Sequence, residues 1–189
     1  MKKISVFNHI SVDGFFAGPN GEIDWFKAIE PDEEWNKFTH TQATSESTLI
    51  FGRTTYDMMK SYWPTEIAIQ NDPGMANVMN NSTKIVFSKK LKTIEETNNW
   101  KNITLLREIN PEEFTKLKMK SDMTILGSGS IVQQLTNLGL IEEYYLVVVP
   151  VILGKGKPLF NNVKESNLNL VNAKTFNNGI VFLTYKFKI

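Results

Sequence analysis

Residues Thr124-Ile125-Leu126-Gly127-Ser128-Gly129-Ser130-Ile131-Val132 carry the tightest constraint in the chain. A β-rich run meets a small-residue turn, and apolar residues then recur at helical spacing (Ile131, Val132, Leu135, Leu138). Strand, glycine turn and helix start therefore follow one another without a linker. Glycines at such a turn let the backbone come close to a ligand. The first helical turn offers unpaired N–H groups at the positive end of its dipole. That combination suits a phosphate or pyrophosphate. It also suits a turn that merely joins strand to helix, because Val132 stands where the dinucleotide fingerprint wants its third glycine and no lysine follows as a P-loop requires. Which of the two applies depends on what the rest of the chain brings alongside.

The flanking segments alternate strand and helix. Residues 3–10, 47–51, 84–88 and 103–106 read as strands from their β-branched and aromatic content. Helices are expected from Pro31-Asp32-Glu33-Glu34-Trp35 through about Thr44, from Gly52-Arg53-Thr54-Thr55-Tyr56, from Asn110-Pro111 with Asn as cap, and from the glycine turn to near Gly139. Residues 63–79, with Pro64, Pro73 and Gly74, read as irregular surface chain. Residues 144–153 form a near-continuous apolar run, as in a strand buried on both faces, with Pro150 implying a bulge or an unpaired edge. Residues 168–176 and 180–189 flank Asn177-Asn178-Gly179 as a β-hairpin. The expected fold is α/β, a mostly parallel sheet ending in an antiparallel hairpin, as a single domain over residues 1–189.

Several function classes fall away on composition. Net charge is +1 with acids and bases interspersed, unlike the basic stripe of a nucleic-acid binder. The absence of cysteine excludes disulfides, thiolate metal sites and cysteine nucleophiles, and no metal site is expected. No apolar run approaches the roughly 20 residues of a membrane span, and residues 4–10 lack the pattern of a signal peptide, so a cytoplasmic protein is expected.

Two further strand ends resemble the glycine turn. Gly52 to Thr55 presents hydroxyls, the Arg53 cation and free N–H groups; Ser88-Lys89-Lys90 presents a hydroxyl and two cations. Ligands of open α/β sheets bind outside the carboxyl ends of the strands, so three such ends can converge on one ligand with several phosphates. A dinucleotide meets that requirement, and Arg53 and Lys89 suit the 2′-phosphate of NADP. Residues 11–25 form a long loop of interleaved glycines and aromatic groups. Within it Asp13-Gly14 reads either as a tight turn or as an acid beside a bound substrate. Glu33 and Glu34 read either as plain helix-start charges or as catalysts.

The order of these motifs resembles the dihydrofolate reductase-like superfamily, most closely the reductase domain of the bifunctional riboflavin-biosynthesis protein. The resemblance rests on Ser11-Val-Asp-Gly14, Gly52-Arg-Thr-Thr-Tyr56, Val86-Phe-Ser88-Lys89, Leu126-Gly-Ser-Gly-Ser130, and Glu142-Glu-Tyr-Tyr145 through Pro150 to Leu159-Phe160, and it covers essentially the whole chain. It implies a three-layer α/β/α fold and an NADPH-dependent reductase. Gly52, Arg53, Thr54 and Thr55 would hold phosphate or ribose, and Ser88 and Lys89 the adenosine end. Gly127, Ser128, Gly129, Ser130 and Ile131 would hold the pyrophosphate. The loop from Asp13 to Trp25, with Ala17 beside the cofactor, would close over nicotinamide and substrate. It further implies Asp13 and Glu34, or Glu33 in its place, as catalytic acids, a ribosylamino-pyrimidine such as 5-amino-6-(5-phosphoribosylamino)uracil or a related small carbonyl or imine substrate, and a homodimer. Folate reductases place one acid inside the helix after this loop, where counting lands near Asn36, and join Gly-Gly by a cis peptide where Gly127-Ser128 stands here. A dihydrofolate reductase and a nucleotide-binding module without turnover are the alternatives.

Overall fold

Alternation along the first strand sets the layers. In β1 (Ile4–Ser11), Ile4 and Val6 are buried toward one side, while Phe7 and His9 meet a set of aromatic rings on the other. The computed structural model describes residues 2–26, 29–43 and 46–188. After β1 come β2 (Phe15–Ala17), a 3-10 turn (Asp24–Phe26), α1 (Glu33–Gln42), β3 (Thr48–Gly52) and α2 (Arg53–Tyr62). Then follow α3 (Glu66–Asn71), α4 (Pro73–Asn81), β4 (Lys84–Phe87), β5 (Ile103–Leu106), α5 (Pro111–Lys118), β6 (Met123–Leu126) and α6 (Gly129–Asn137). The chain closes with β7 (Glu143–Val149), β8 (Lys157–Pro158), β9 (Leu168–Thr175) and β10 (Val181–Phe187).

Eight strands form one sheet in the order β5-β4-β3-β6-β1-β7-β10-β9. Only β10 runs against the others, so the carboxyl ends of β1, β3, β4, β5, β6 and β7 share one edge. On one face α5 and α6 bury Phe114, Ile131, Val132 and Leu135 against Ile4, Val6, Ile50 and Ile125. The other face carries two separate clusters. Tyr56 and Met79, from α2 and α4, pack on Leu49, Phe51 and Val86, whereas Trp35 and Phe38, from α1, pack on Val147, Phe176 and Phe182. These are the three layers that the resemblance implies.

Residues 63–79 depart from expectation, since α3 and most of α4 lie there. Pro73 occupies the first turn of α4, where no N–H is needed, while Thr65 and Asp72 cap the two helices with side-chain oxygens. The long apolar run also ends sooner than expected. β7 stops at Val149, and beyond Pro150 the chain leaves the ladder, with Val151 accepting from Val12 N–H. Within residues 11–25, the short β2 pairs with β8 through Phe15 and Ala17. The expected helix end near Thr44 and hairpin end at Ile189 lie outside the described residues.

At the amino edge, Lys84 is fully buried, its ammonium donating to the carbonyls of Asn80, Ser82 and Lys101 and lying over the Trp100 ring. Burial lowers its pKa to about 8. Glu143, at the start of β7, receives Lys3 at 2.5 Å, Lys186 at 2.9 Å and the Tyr145 hydroxyl. Burial alone would raise this carboxyl, but the bonds from Lys3, Tyr145 and Lys186 hold it at about 2. Its stabilisation is complete above the unfolded-state pKa near 4.5 and is lost as pH falls toward 2. Glu143→Gln is expected to cost up to about 3 kcal/mol in urea unfolding at pH 7. The gap to the parent should close as the pH is lowered from 4.5 to 2.

Candidate functional site

Four of the six α-helices among the described residues carry a side-chain cap on their first-turn N–H groups. Asp32 accepts from Trp35, Thr65 from Ala68, Asp72 from Met75, and Asn110 from Glu112 and Glu113. α2 and α6 have none. These two follow directly from the neighbouring strands β3 and β6, so their bare N-termini open side by side at the carboxyl edge. Unpaired N–H groups at two adjacent positive dipole ends make a place for an anion.

One serine holds the two ends together. Ser128 Oγ accepts from the Gly52 N–H at 2.6 Å and donates to Thr55 Oγ1 at 3.0 Å. Gly127 and Ser128 both have left-handed backbone, φ +60° and +58°, and no cis peptide bond occurs among the described residues. A Cβ on Gly127 would meet Thr55 Oγ1 at 2.8 Å, and one on Gly129 would meet the Phe16 ring at 2.6 Å. Glycine is thus required here by close approach as well as by conformation.

The structure brings Gly52, Thr55, Gly127, Ser128 and Gly129 into one cluster. Ser130 and Thr54 are exposed beside it, whereas Ile131 is buried in the core and its N–H already donates to the Ser128 carbonyl at 2.8 Å, so it has no donor to spare for a ligand. Arg53 is half exposed, its Nε 3.3 Å from Asp57 Oδ2. Lys89 is exposed after β4, next to β3. The buried Ser88 hydroxyl accepts from Lys90 and Leu91 N–H and so shapes its own loop. Arg107 pins the same loop by donating to the carbonyls of Ser88, Leu91 and Lys92. Ala17 is buried in β2, beside β8.

The two acids have other partners. Asp13 accepts from Ser11 Oγ at 2.6 Å, Leu153 N–H at 3.1 Å and Gly154 N–H at 2.7 Å, so it clasps two loops together. The Ser11 bond, with those backbone bonds, holds its carboxyl below the usual range and keeps it anionic. Glu34 faces away from the cleft beside α1 and pairs with Lys174 at 2.8 Å. Asn36 faces that cleft, because two residues on a helix are rotated by about 200°.

The cleft lies between α1 and the α3–α4 turn. Its volume is about 450 Å³, and Asn36, Thr39, His40, Asn71, Asp72, Pro73 and Gly74 line it. His40 Nε2 and Asp72 Oδ2 bridge it at 3.0 Å. Half-buried Phe7 and Leu126 sit in register on the strip of sheet between the two apolar clusters. Farther along β1, His9 stacks on Phe26 at 4.6 Å and lies edge-on to Phe7 and Trp35. Burial pulls its imidazole down to about 4, so it is neutral at physiological pH. Sequence reasoning passed over His9, Asp72 and His40. The period-two spacing of Phe7 and His9 was the available signal for the first.

Sheet order, single reversed strand and three layers define the dihydrofolate reductase-like class, and the uncapped helix starts sit where that class has its strand carboxyl ends. The chain belongs to the RibD C-terminal domain family, whose model matches residues 2–182. YyaP of Bacillus subtilis (strain 168), an uncharacterised protein, is 33% identical over 179 residues, 93% of this chain and 90% of its own. The solved "Putative riboflavin biosynthesis protein" of Shewanella sp. PV-4 superposes with a TM-score of 0.76 at 20% identity, covering 99% of both chains. Dihydrofolate reductase from Enterococcus faecalis, complexed with NADP(H) and RAB-propyl, gives 0.64 at 16% identity, covering 99% of this chain and 97% of its own. No helix among the described residues is long and apolar enough to cross a membrane.

Gly127→Ala is expected to destabilise the fold by about 1–2 kcal/mol, since the new methyl meets Thr55 in left-handed backbone. Denaturant unfolding measures it. His9→Phe should flatten the acid limb of the stability curve. Neutral His9 stabilises fully above pH 6.5, and its contribution is lost as pH falls toward 4. Unfolding followed from pH 7 to 4 reads the difference, at most about 3 kcal/mol.

Proposed function

We propose that the protein is an NADPH-dependent reductase that delivers hydride to a C=N or C=O carbon of a ribosylamino-pyrimidine or a related small imine or carbonyl. The observation that carries this reading is the pair of uncapped helix starts, tied by Ser128 and bordered by Arg53 and Lys89. The cradle has the chemistry for a pyrophosphate: first-turn N–H groups of α6 and α2 as donors, on a turn whose glycines let Thr55 and Phe16 pack directly against it. Arg53 and Lys89 would take the 2′-phosphate. Family membership and the NADP(H) held by the Enterococcus faecalis enzyme support the same choice of cofactor.

Bound NADPH would supply the hydride, and this chain would supply position and exclusion of water. Phe16, packed on Gly129, and the Asp13 clasp would fix the covering loop over the carboxyl edge. Phe26, Trp35 and neutral His9 would form an apolar wall beside it. Asp13 is fully engaged and Glu34 is turned toward Lys174, so neither serves as the proton donor in this arrangement. A second copy would pair along β9, an edge strand with Leu170 and Val171 more than half exposed.

Titration with NADPH and NADH, followed by nicotinamide fluorescence, tests the reading. NADPH should bind at least tenfold more tightly, and Arg53→Gln should narrow that ratio without weakening NADH. Nicotinamide absorbance should fall on adding a ribosylamino-pyrimidine. Failure of either nucleotide to bind would remove the proposal.

A further inference from the structure

We propose that Arg107, without touching the cofactor, sets the preference for NADPH over NADH by holding the loop after β4 in the form that receives the 2′-phosphate. The inference rests on the reductase reading and deepens it, adding a positioning residue to the choice of cofactor.

Register places Arg107 one strand farther out than that loop. β3, β4 and β5 lie side by side and parallel, with Gly52 opposite Phe87 and Phe87 opposite Leu106. Ser88 N–H then donates to the Leu106 carbonyl at 3.0 Å, so the loop leaves β4 with Arg53 following the strand on one side and Arg107 the strand on the other. Neighbouring strands are about 4.8 Å apart, which puts the Arg107 backbone roughly 10 Å from the line of β3.

The guanidinium is committed to the loop. Nη1 donates to the carbonyls of Ser88, at 3.0 Å, and Leu91, and Nη2 donates to that of Lys92 at 3.1 Å. Three carbonyls of residues 88–92 thus converge on one planar cation, a span that the fork of an arginine covers and the point charge of a lysine does not. No carboxylate pairs with Arg107 among the described residues, so the loop supplies all the polar partners of its side chain.

What the pin leaves over are donors. The Ser88 hydroxyl accepts from Lys90 N–H at 3.2 Å and Leu91 N–H at 3.0 Å, and so keeps its own proton to give. Beside it, neither the exposed Lys89 ammonium nor the Lys89 N–H has a partner among the described residues. With the carbonyls of Ser88, Leu91 and Lys92 occupied, the loop offers an anion an ammonium, an N–H and an O–H, and withholds three acceptors that would repel it. NADPH and NADH differ only in the 2′-phosphate, so a residue that serves this loop alone acts on the ratio of their affinities and not on what they share.

The test titrates the parent, Arg107→Lys, Lys89→Gln and the double variant with NADPH and NADH, followed by nicotinamide fluorescence. Arg107→Lys keeps the charge and loses the fork. It should cut the NADPH-to-NADH affinity ratio at least threefold while NADH binding stays within twofold of the parent. In the Lys89→Gln background the same change should have less than half that effect on a logarithmic scale, because both act at one contact. Hydrogen exchange of the parent without nucleotide gives a second readout: the Lys90 and Leu91 amides should exchange at least tenfold more slowly than in an unfolded chain. A ratio kept by Arg107→Lys, equal losses of NADPH and NADH, additive effects with Lys89→Gln, or unprotected loop amides overturns the role of Arg107. NADPH binding with the ratio unmoved removes this role alone, whereas binding of neither nucleotide by the parent removes the reductase reading and this role with it.

Discussion

The Ser128 hydroxyl is the constraint on which the carboxyl edge depends. By accepting from Gly52 and donating to Thr55, it fixes the end of β3 and the first turn of α2 against the turn that opens α6. A serine at that position would ordinarily cap its own helix. Here its left-handed backbone turns the side chain to the neighbouring strand, and α6 is left with free N–H groups. Local capping has been exchanged for a tie between two elements 76 residues apart.

A division of charge follows along the cluster-bearing side of the sheet. Donors gather where strands end, and acceptors gather in the cleft between helices. The same helix dipole serves both, because capping alone decides whether a helix start is positive or neutralised. α2 and α6 are bare, whereas α4 carries Asp72.

Much of this was legible in the chain. Strand-to-helix junctions at Gly52 and Gly127 follow from β-rich runs meeting small residues, and alternation of the two element types implies the parallel sheet. The missed elements share a physical cause. Thr65 and Asp72 act as caps only once the chain beside them is helical, and with Pro64, Pro73 and Gly74 between them the stretch reads as breakers. Three-residue β2 and two-residue β8 are too short to show a period. The positions of Asp13 and Glu34 were legible but their partners were not. Asp13 meets Leu153 and Gly154, and Glu34 meets Lys174, each about 140 residues away and each chosen by the fold rather than by local pattern.

The central place of β1 has a consequence for how the molecule is made. β1 is synthesised before the other strands, yet its two neighbours are β6 and β7, and Lys3 just before it and Ile4 at its start bond to Asp122 and Glu142, 119 and 138 residues later. No partner for its backbone exists until most of the chain has been synthesised. During that interval Ile4, Val6 and Phe7 are exposed to other nascent chains, and closing so long a loop is slow. A pause in translation before β7 would therefore lengthen the window for aggregation, and one after β10 would not.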